Sequence, residues 1–408
     1  YNLEEILAEH TMSRVEKRDP MKLNNPTTFD KLVGKYTSLP LKLFYDYFNK
    51  IEIKATNPTD KINVSNPSFL SKHEELWLNL SLDTWKKYYV WKFISGISSF
   101  INEHVSELKF KFYGKELSGT PTMLPRWKRV ISNCNSHMGE VIGKIFVKKY
   151  FPESAKVKAK TMISFIIKEL RERLENNDWM EPETKEKATK KLDKIDVKIG
   201  FPDKFKNYQE LNLNNSDSYL INNLKSLKFD EDMSWKKLYK VKDKTEWHMY
   251  PHMVNAYYSP SGNEIVFPAG ILQEPFFSEN YDAPLNFGAI GAVIGHEITH
   301  GFDDMGRKFD ENGNLNDWWT QADEVKYKAK TKKLRDQFAS YVIEGKNLNG
   351  DLTLGENIAD LGGVSISYYA LKKYLSENPN ENKVLEGLTP EQRFFVNYAK
   401  IWRCNTRR

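Results

Sequence analysis

The stretch Asn286-Phe287-Gly288-Ala289-Ile290-Gly291-Ala292-Val293-Ile294-Gly295-His296-Glu297-Ile298-Thr299-His300 decides the reading of the chain. Its apolar residues Ile290, Val293, Ile294 and Ile298 recur at helical spacing and can face a core. On that helix His296 and His300 sit at i and i+4, so both imidazoles can reach one ion. An H-E-x-x-H of this kind suits zinc, because imidazole nitrogens bind it well and a catalytic site adds one more protein ligand and water. Glu297 stands beside the open position and can act as general base. Taken by itself, the same spacing also fits two helix-surface histidines beside a solvated glutamate.

A third ligand must come from elsewhere. Gly355-Glu356-Asn357-Ile358-Ala359-Asp360 offers carboxylates at i and i+4, pointing the same way on a helix. Glu356 can ligate the ion. Asp360 can accept a hydrogen bond from a ligand histidine, which fixes the tautomer and raises the ligand's basicity. Alone, this segment reads as a capped helix with two exposed acids. Asp303 is placed either to orient His300 or to cap a helix end. His10, His73, His104, His137, His248 and His252 have no metal spacing and read as structural or surface groups. Asp310, Asn312, Asn314 and Asn316 imitate the alternating oxygens of a calcium loop. Leu315 stands where glycine is needed, however, and Gln321 where the bidentate glutamate is needed, so a polar turn is expected. There is no phosphate-cradling glycine loop, nucleotide fingerprint or G-x-S-x-G.

A chain of 408 residues suggests two domains. Hydrophobic residues at 40% and aromatics at 13% support real cores and exclude disorder. The formal charge of +6 comes from intermixed signs, without a basic stripe carrying aromatics, which argues against nucleic acid as a partner. Cys134 and Cys404 are too far apart for a CxxC motif and read as buried thiols or as cysteines whose partners lie outside this chain. Sequons at Asn63, Asn79 and Asn214 are compatible with secretion. The most apolar stretch, residues 88–101, is interrupted by Lys92 and reads as a buried helix rather than a membrane span. No signal peptide is visible. The start at Tyr1 and the end at Arg407-Arg408 are those expected of a processed or truncated chain.

Helical periodicity covers residues 1–20, a segment from Thr28, another from Pro40 (Leu43, Phe44, Tyr47, Phe48), 82–108 as one helix or two, 127–150, 153–176 and 182–194. A helical domain over residues 1–199 is therefore expected, with a boundary at Gly200-Phe201-Pro202. Residues 200–408 read as an α+β catalytic domain. Strands are expected at 254–258 and 264–267, joined by Ser259-Pro260-Ser261-Gly262-Asn263, with helices from about residue 285.

Five segments occur in order: V-N-A-Y-Y-S-P (254–260), I-V-F-P-A-G-I-L-Q-E-P-F-F (265–277), V-I-G-H-E-I-T-H-G-F-D-D (293–304), D-W-W-T (317–320) and G-E-N-I-A-D-L-G-G (355–363). Together they resemble the neprilysin and endothelin-converting-enzyme family of zinc metallopeptidases. W-M-E-P-E-T-K-E-K-A (179–188) and I-G-F-P-D (199–203) extend the resemblance over essentially the whole chain. It implies a mainly α fold with a small α+β zincin (thermolysin-like) catalytic domain, two largely helical domains enclosing a chamber. It implies one zinc ion held by His296, His300 and Glu356, water activated by Glu297, and support from Asp360 to His296 and from Asp303 to His300. Asn255 and Ala256 would hold the peptide substrate on an edge strand by strand addition. Ile271, Phe276, Val293, Ile401 and Trp402 match positions lining the apolar pocket for the residue after the cleaved bond; taken singly, each reads first as a residue that packs in a core.

The resemblance further implies small peptide substrates and an extracellular, cell-surface or secreted location. This chain has no membrane segment, whereas the parent would be a type II membrane protein. The family carries an oxyanion-stabilising histidine and a substrate-binding arginine beyond the W-x-x-x-x-R segment, which here is Trp402 to Arg407. The isolated chain is therefore expected to bind zinc yet cleave peptides poorly or not at all. Cys134 sits where the family has a disulfide cysteine, and Cys404 is shifted by one position from another. The expected function is a zinc-dependent endopeptidase. The alternative is a non-catalytic surface protein that keeps the fold to bind peptides or partners.

Overall fold

Helices begin in this chain where a short polar side chain can accept from the first free backbone amides. In the computed structural model, which describes residues 2–43, 47, 61–238 and 240–405, Thr28 caps Phe29–Lys35, Asn66 caps Pro67–Asn79 and Ser81 caps Leu82–Ile101. Asn102 is extended and caps Glu103–Lys109, so the stretch 82–108 is two helices. Ser218, Thr320 and Asn349 do the same for Tyr219–Trp235, Gln321–Ala339 and Gly350–Glu377. Helix dominates the structure, as expected.

Some boundaries differ from the sequence reading. The helix expected over 1–20 stops at Glu9. Arg18, further on, donates from Nη1 to the carbonyls of Asp351 (2.5 Å) and Leu352 (2.7 Å). Most of the helix expected from Pro40, including Phe44 and Phe48, lies outside the described residues. The helix Arg126–Tyr150 is broken at Met138, whose backbone is not helical. Two short strands, Pro26–Thr28 and Lys61–Asn63, interrupt a half of the chain that reads as helical throughout.

The chain divides into two compact units, each discontinuous in sequence. One comprises Tyr1–Ser13, Lys22–Gly139 and Lys206–Asp243. Its core gathers Leu7, Leu76 and Trp85 with Leu3, Ile6, Phe69 and Tyr88 around them. His137 Nδ1 lies 3.0 Å from Asp230 Oδ2 here, and Cys134 is half-buried and free.

The other unit comprises Arg14–Met21, Glu140–Phe205 and Lys244–Arg408. This division differs from a single boundary near residue 200. The helices Glu153–Glu175 and Pro182–Asp193 place Ile163, Ile166, Ala188 and Leu192 in the same core as Ile294 and Leu371. The strand Asp196–Gly200, unforeseen in the sequence, then pairs in parallel with Glu264–Pro268. Tyr257–Ser259 pairs antiparallel on the other side, giving a three-stranded sheet with Glu264–Pro268 in the middle. All five residues of the middle strand are buried, as a strand covered on both faces requires. Buried Glu264 is neutralised by Lys198 at 2.7 Å. The strand expected from residue 254 begins at Tyr257, leaving Asn255 and Ala256 in the segment that leads into the edge.

Candidate metal centre

Asp282 caps a helical run that passes through a wide turn at Phe287–Gly291 into Ala292–His300. Burial of Val293, Ile294, Ile298 and Thr299 fixes the rotation of this helix and turns His296 and His300 to its open side. The helix Gly350–Glu377 packs against it at unusually short range, and glycines allow the approach. A Cβ on Gly363 would lie 2.6 Å from Ala292 O and from His296 N, and one on Gly295 would lie 2.7 Å from Gly363 O. This contact brings Glu356 and Asp360 over the histidines.

Nδ1 of His296 donates to Asp360 Oδ1 at 2.8 Å, and Nδ1 of His300 donates to Asp303 Oδ2 at 2.8 Å. Both Nε2 atoms are therefore the nitrogens that would offer lone pairs to a metal once their protons leave. They face each other at 2.9 Å, and Glu356 Oε2 stands 3.3 Å from one and 3.5 Å from the other. Two ligands about 2.1 Å from a tetrahedral ion are about 3.4 Å apart. Three converging atoms with no proton required between them fit zinc in spacing and in donor type. Glu297 joins the two histidines in one cluster of potential ligand atoms within 4.8 Å.

Electrostatics point the same way. Burial opposes charge on His296, but hydrogen bonds to Asp360 and Glu356 outweigh it and hold its pKa up at about 9. Asp303 and Glu356 likewise overcome burial to hold His300 up at about 10. Hydrogen bonds from both histidines keep Glu356 well below the usual carboxylate range. Protons here occupy the place of a cation, and a metal would replace them. Glu297 is 6% exposed, and burial pushes its carboxyl up, toward the range of a working base.

Asp303 orients His300 and also ties the loop that follows it. One oxygen accepts from His300, while the other accepts from the amides of Met305 (2.8 Å) and Gly306 (2.6 Å). The calcium-like segment is a polar turn, with Asp310 accepting from the amides of Asn312 and Asn314.

Sequence models of peptidase family M13 match residues 1–202 and residues 255–408. The chain belongs to peptidase family M13. It is 35% identical to an endothelin-converting enzyme homolog of Locusta migratoria over 97% of this chain and 56% of that protein. It is 36% identical to neprilysin of Homo sapiens over 100% of this chain and 56% of that protein. The crystal structure of the Mycobacterium tuberculosis zinc metalloprotease ZMP1 in complex with an inhibitor superposes with a TM-score of 0.90 at 36% identity, covering 98% of this chain and 61% of that one. PepO from Lactobacillus rhamnosis gives 0.84 at 30% identity, over 97% of this chain and 60% of that one. This M13 chain thus spans about half the length of the curated relatives it matches.

Two cavities adjoin the M13 histidines. One of about 490 Å³ is lined by Asn255, Ala256, Tyr258, Glu297, Asp303 and Glu356 among others. The second, about 200 Å³, joins Asn255, Ile271, Phe276, Val293, Trp402 and Glu297. The expected pocket residues therefore meet in one place, except Ile401, which packs half-buried against the core. The sequence reading missed Val364 and Tyr398, which also line the smaller cavity. Each lies one helical turn from a chosen residue, Val364 after Asp360 and Tyr398 before Trp402. Helical spacing was the signal that would have found them. Cys404 is exposed and free.

Proposed function

We propose that the protein is a zinc-dependent endopeptidase hydrolysing small extracellular peptides. The observation that carries this reading is the convergence of His296 Nε2, His300 Nε2 and Glu356 Oε2 beside buried Glu297. One zinc ion bound there supplies Lewis acidity for attack on a peptide carbonyl. His296, His300 and Glu356 hold it, and Asp360 and Asp303 fix the imidazole tautomers. Glu297 takes the proton from the attacking water and passes it to the leaving amine. The segment Asn255–Ala256 holds the substrate main chain by strand addition next to the edge strand Tyr257–Ser259. The apolar cavity of Ile271, Phe276, Val293 and Trp402 receives the side chain after the cleaved bond. The catalytic portion falls within residues 200–408 with the helical support of residues 153–199.

Exposure of all three sequon asparagines supports an extracellular-facing, glycosylated protein. No helix among the described residues is long and apolar enough to cross a membrane; a type II membrane topology for the parent protein rests on the family likeness alone.

Comparing the full-length protein with its Glu297→Gln variant tests this reading. Equal zinc content with peptide hydrolysis lowered at least a hundredfold supports it. Full turnover in the variant overturns the role of Glu297. A biological activity that persists without turnover identifies a peptide-binding protein instead.

A further inference from the structure

Lys191 is fully buried, 0% exposed, in a stripe of the helix Pro182–Asp193 shared with Thr184, Ala188 and Leu192. Its ammonium donates to the carbonyls of Gly301 at 2.6 Å, Phe309 at 2.7 Å and Gly306 at 2.8 Å. An ammonium has three N–H donors, and here each has an acceptor. All three acceptors belong to one loop, residues 301–309, which starts at the residue after His300. The loop doubles back so tightly that a Cβ on Gly306 would lie 1.8 Å from His300 O.

This loop carries Asp303, whose carboxylate accepts from His300 Nδ1. Other groups brace it from the sides. Tyr327 donates its hydroxyl to Phe302 O at 3.1 Å, and Trp318 Nε1 donates to Phe309 O at 3.0 Å. The rings of Phe302, Tyr258 and Trp318 surround the ammonium at 5.5–5.9 Å. Burial pulls Lys191 down to about 7, with the charges of Asp303 and Asp310 acting against it. The three carbonyls favour the protonated form. Burying a charge is costly unless it is fully bonded, and a leucine would fill this stripe more cheaply. The lysine is explained by what it gathers.

We propose that Lys191 is a positioning residue of the metal centre: by drawing together three carbonyls of loop 301–309, it sets Asp303 against His300 Nδ1 and so aims His300 Nε2. The proposal rests on the reading of His296, His300 and Glu356 as metal ligands. It adds a second tether to a ligand that Asp303 alone would orient.

The test compares the full-length protein with Lys191→Met and, as a control on the same helix, Lys185→Met. Zinc affinity is read by competition with a chromogenic chelator. Ligand geometry is read from the visible absorption of the cobalt(II)-loaded protein. The expected result is a zinc affinity roughly tenfold lower in Lys191→Met, the weaker end of what supporting contacts contribute. A changed cobalt spectrum should accompany it, with the control unchanged in both. A loss of fold stability alone would leave the cobalt spectrum as it was. Where Lys191→Met does not fold, Lys191→Gln, which keeps two donors on a neutral tip, is measured in its place. Unchanged affinity and spectrum in the folded variant overturn the proposal while the metal reading stands. If neither variant folds, Lys191 is a residue of the fold alone and the proposal falls. If the parent protein itself binds no zinc, the metal reading fails first and takes the proposal with it.

Discussion

Asp360 Oδ1 lies 2.8 Å from His296 Nδ1, across the contact between two helices that are distant in sequence. The bond holds a proton of His296 on Nδ1, so that Nε2, turned toward Glu356, is the nitrogen a metal would take. Asp360→Asn keeps an acceptor but loses the charge, and should lower zinc affinity about tenfold. Asp360→Ala should approach a hundredfold. Chelator competition measures both, and equal affinities in all three proteins would contradict the assignment.

The close helix contact makes a second prediction. Alanine is the better helix former than glycine by about 1 kcal/mol, so Gly363→Ala would stabilise an uncrowded helix. Here the new methyl group would lie 2.6 Å from Ala292 O and His296 N. Backbone cannot yield as a side-chain tip can, so overpacking should win, with a net loss of about 1–3 kcal/mol. Zinc affinity should fall with stability, because the same contact carries Glu356. Chemical denaturation of the metal-free protein and zinc titration check the two parts.

Zinc binding should release protons. Without metal, His296 titrates at about 9 and His300 at about 10. Both are raised above the ordinary histidine value, so the site holds protons at pH 7 that must leave for a metal to bind. Affinity should therefore rise with pH between about 6 and 8 and fall toward the acid side. Calorimetry in buffers of different ionisation enthalpy counts the protons. A pH-independent affinity over that window would contradict this protonation state.

Much of this site is legible in the sequence because its logic is local. His296 and His300 share a face, as do Glu356 and Asp360, and helical spacing alone places each pair. What brings the pairs together is not local. It depends on Gly295 and Gly363 meeting at backbone range, and glycine in a helical pattern carries no partner's address. Lys191 is a different case. It sits in a helix rich in lysine and glutamate, yet it falls on the stripe of Ala188 and Leu192, so periodicity holds a signal that composition masks. The strand Asp196–Gly200 was hidden because its sequence, D-V-K-I-G, is short and its pairing partner lies beyond a long insertion. The same insertion explains why the compact units do not follow a single boundary.

The smaller cavity predicts selectivity. Phe276 and Val293 wall a space of about 200 Å³ beside Glu297. Phe276→Ala enlarges it, so peptides with bulkier apolar side chains after the cleaved bond should gain in kcat/KM relative to smaller ones, by roughly tenfold or more. A peptide series with the full-length variant measures the ratio. An unchanged order of preference would remove this cavity from substrate recognition.

The most direct measurement is hydrolysis of a small peptide by the full-length protein before chelation, after removal of metal, and after zinc is restored. Activity should disappear with the metal and return with about one zinc per chain. Hydrolysis that continues unchanged in the metal-free protein would contradict a zinc-dependent mechanism.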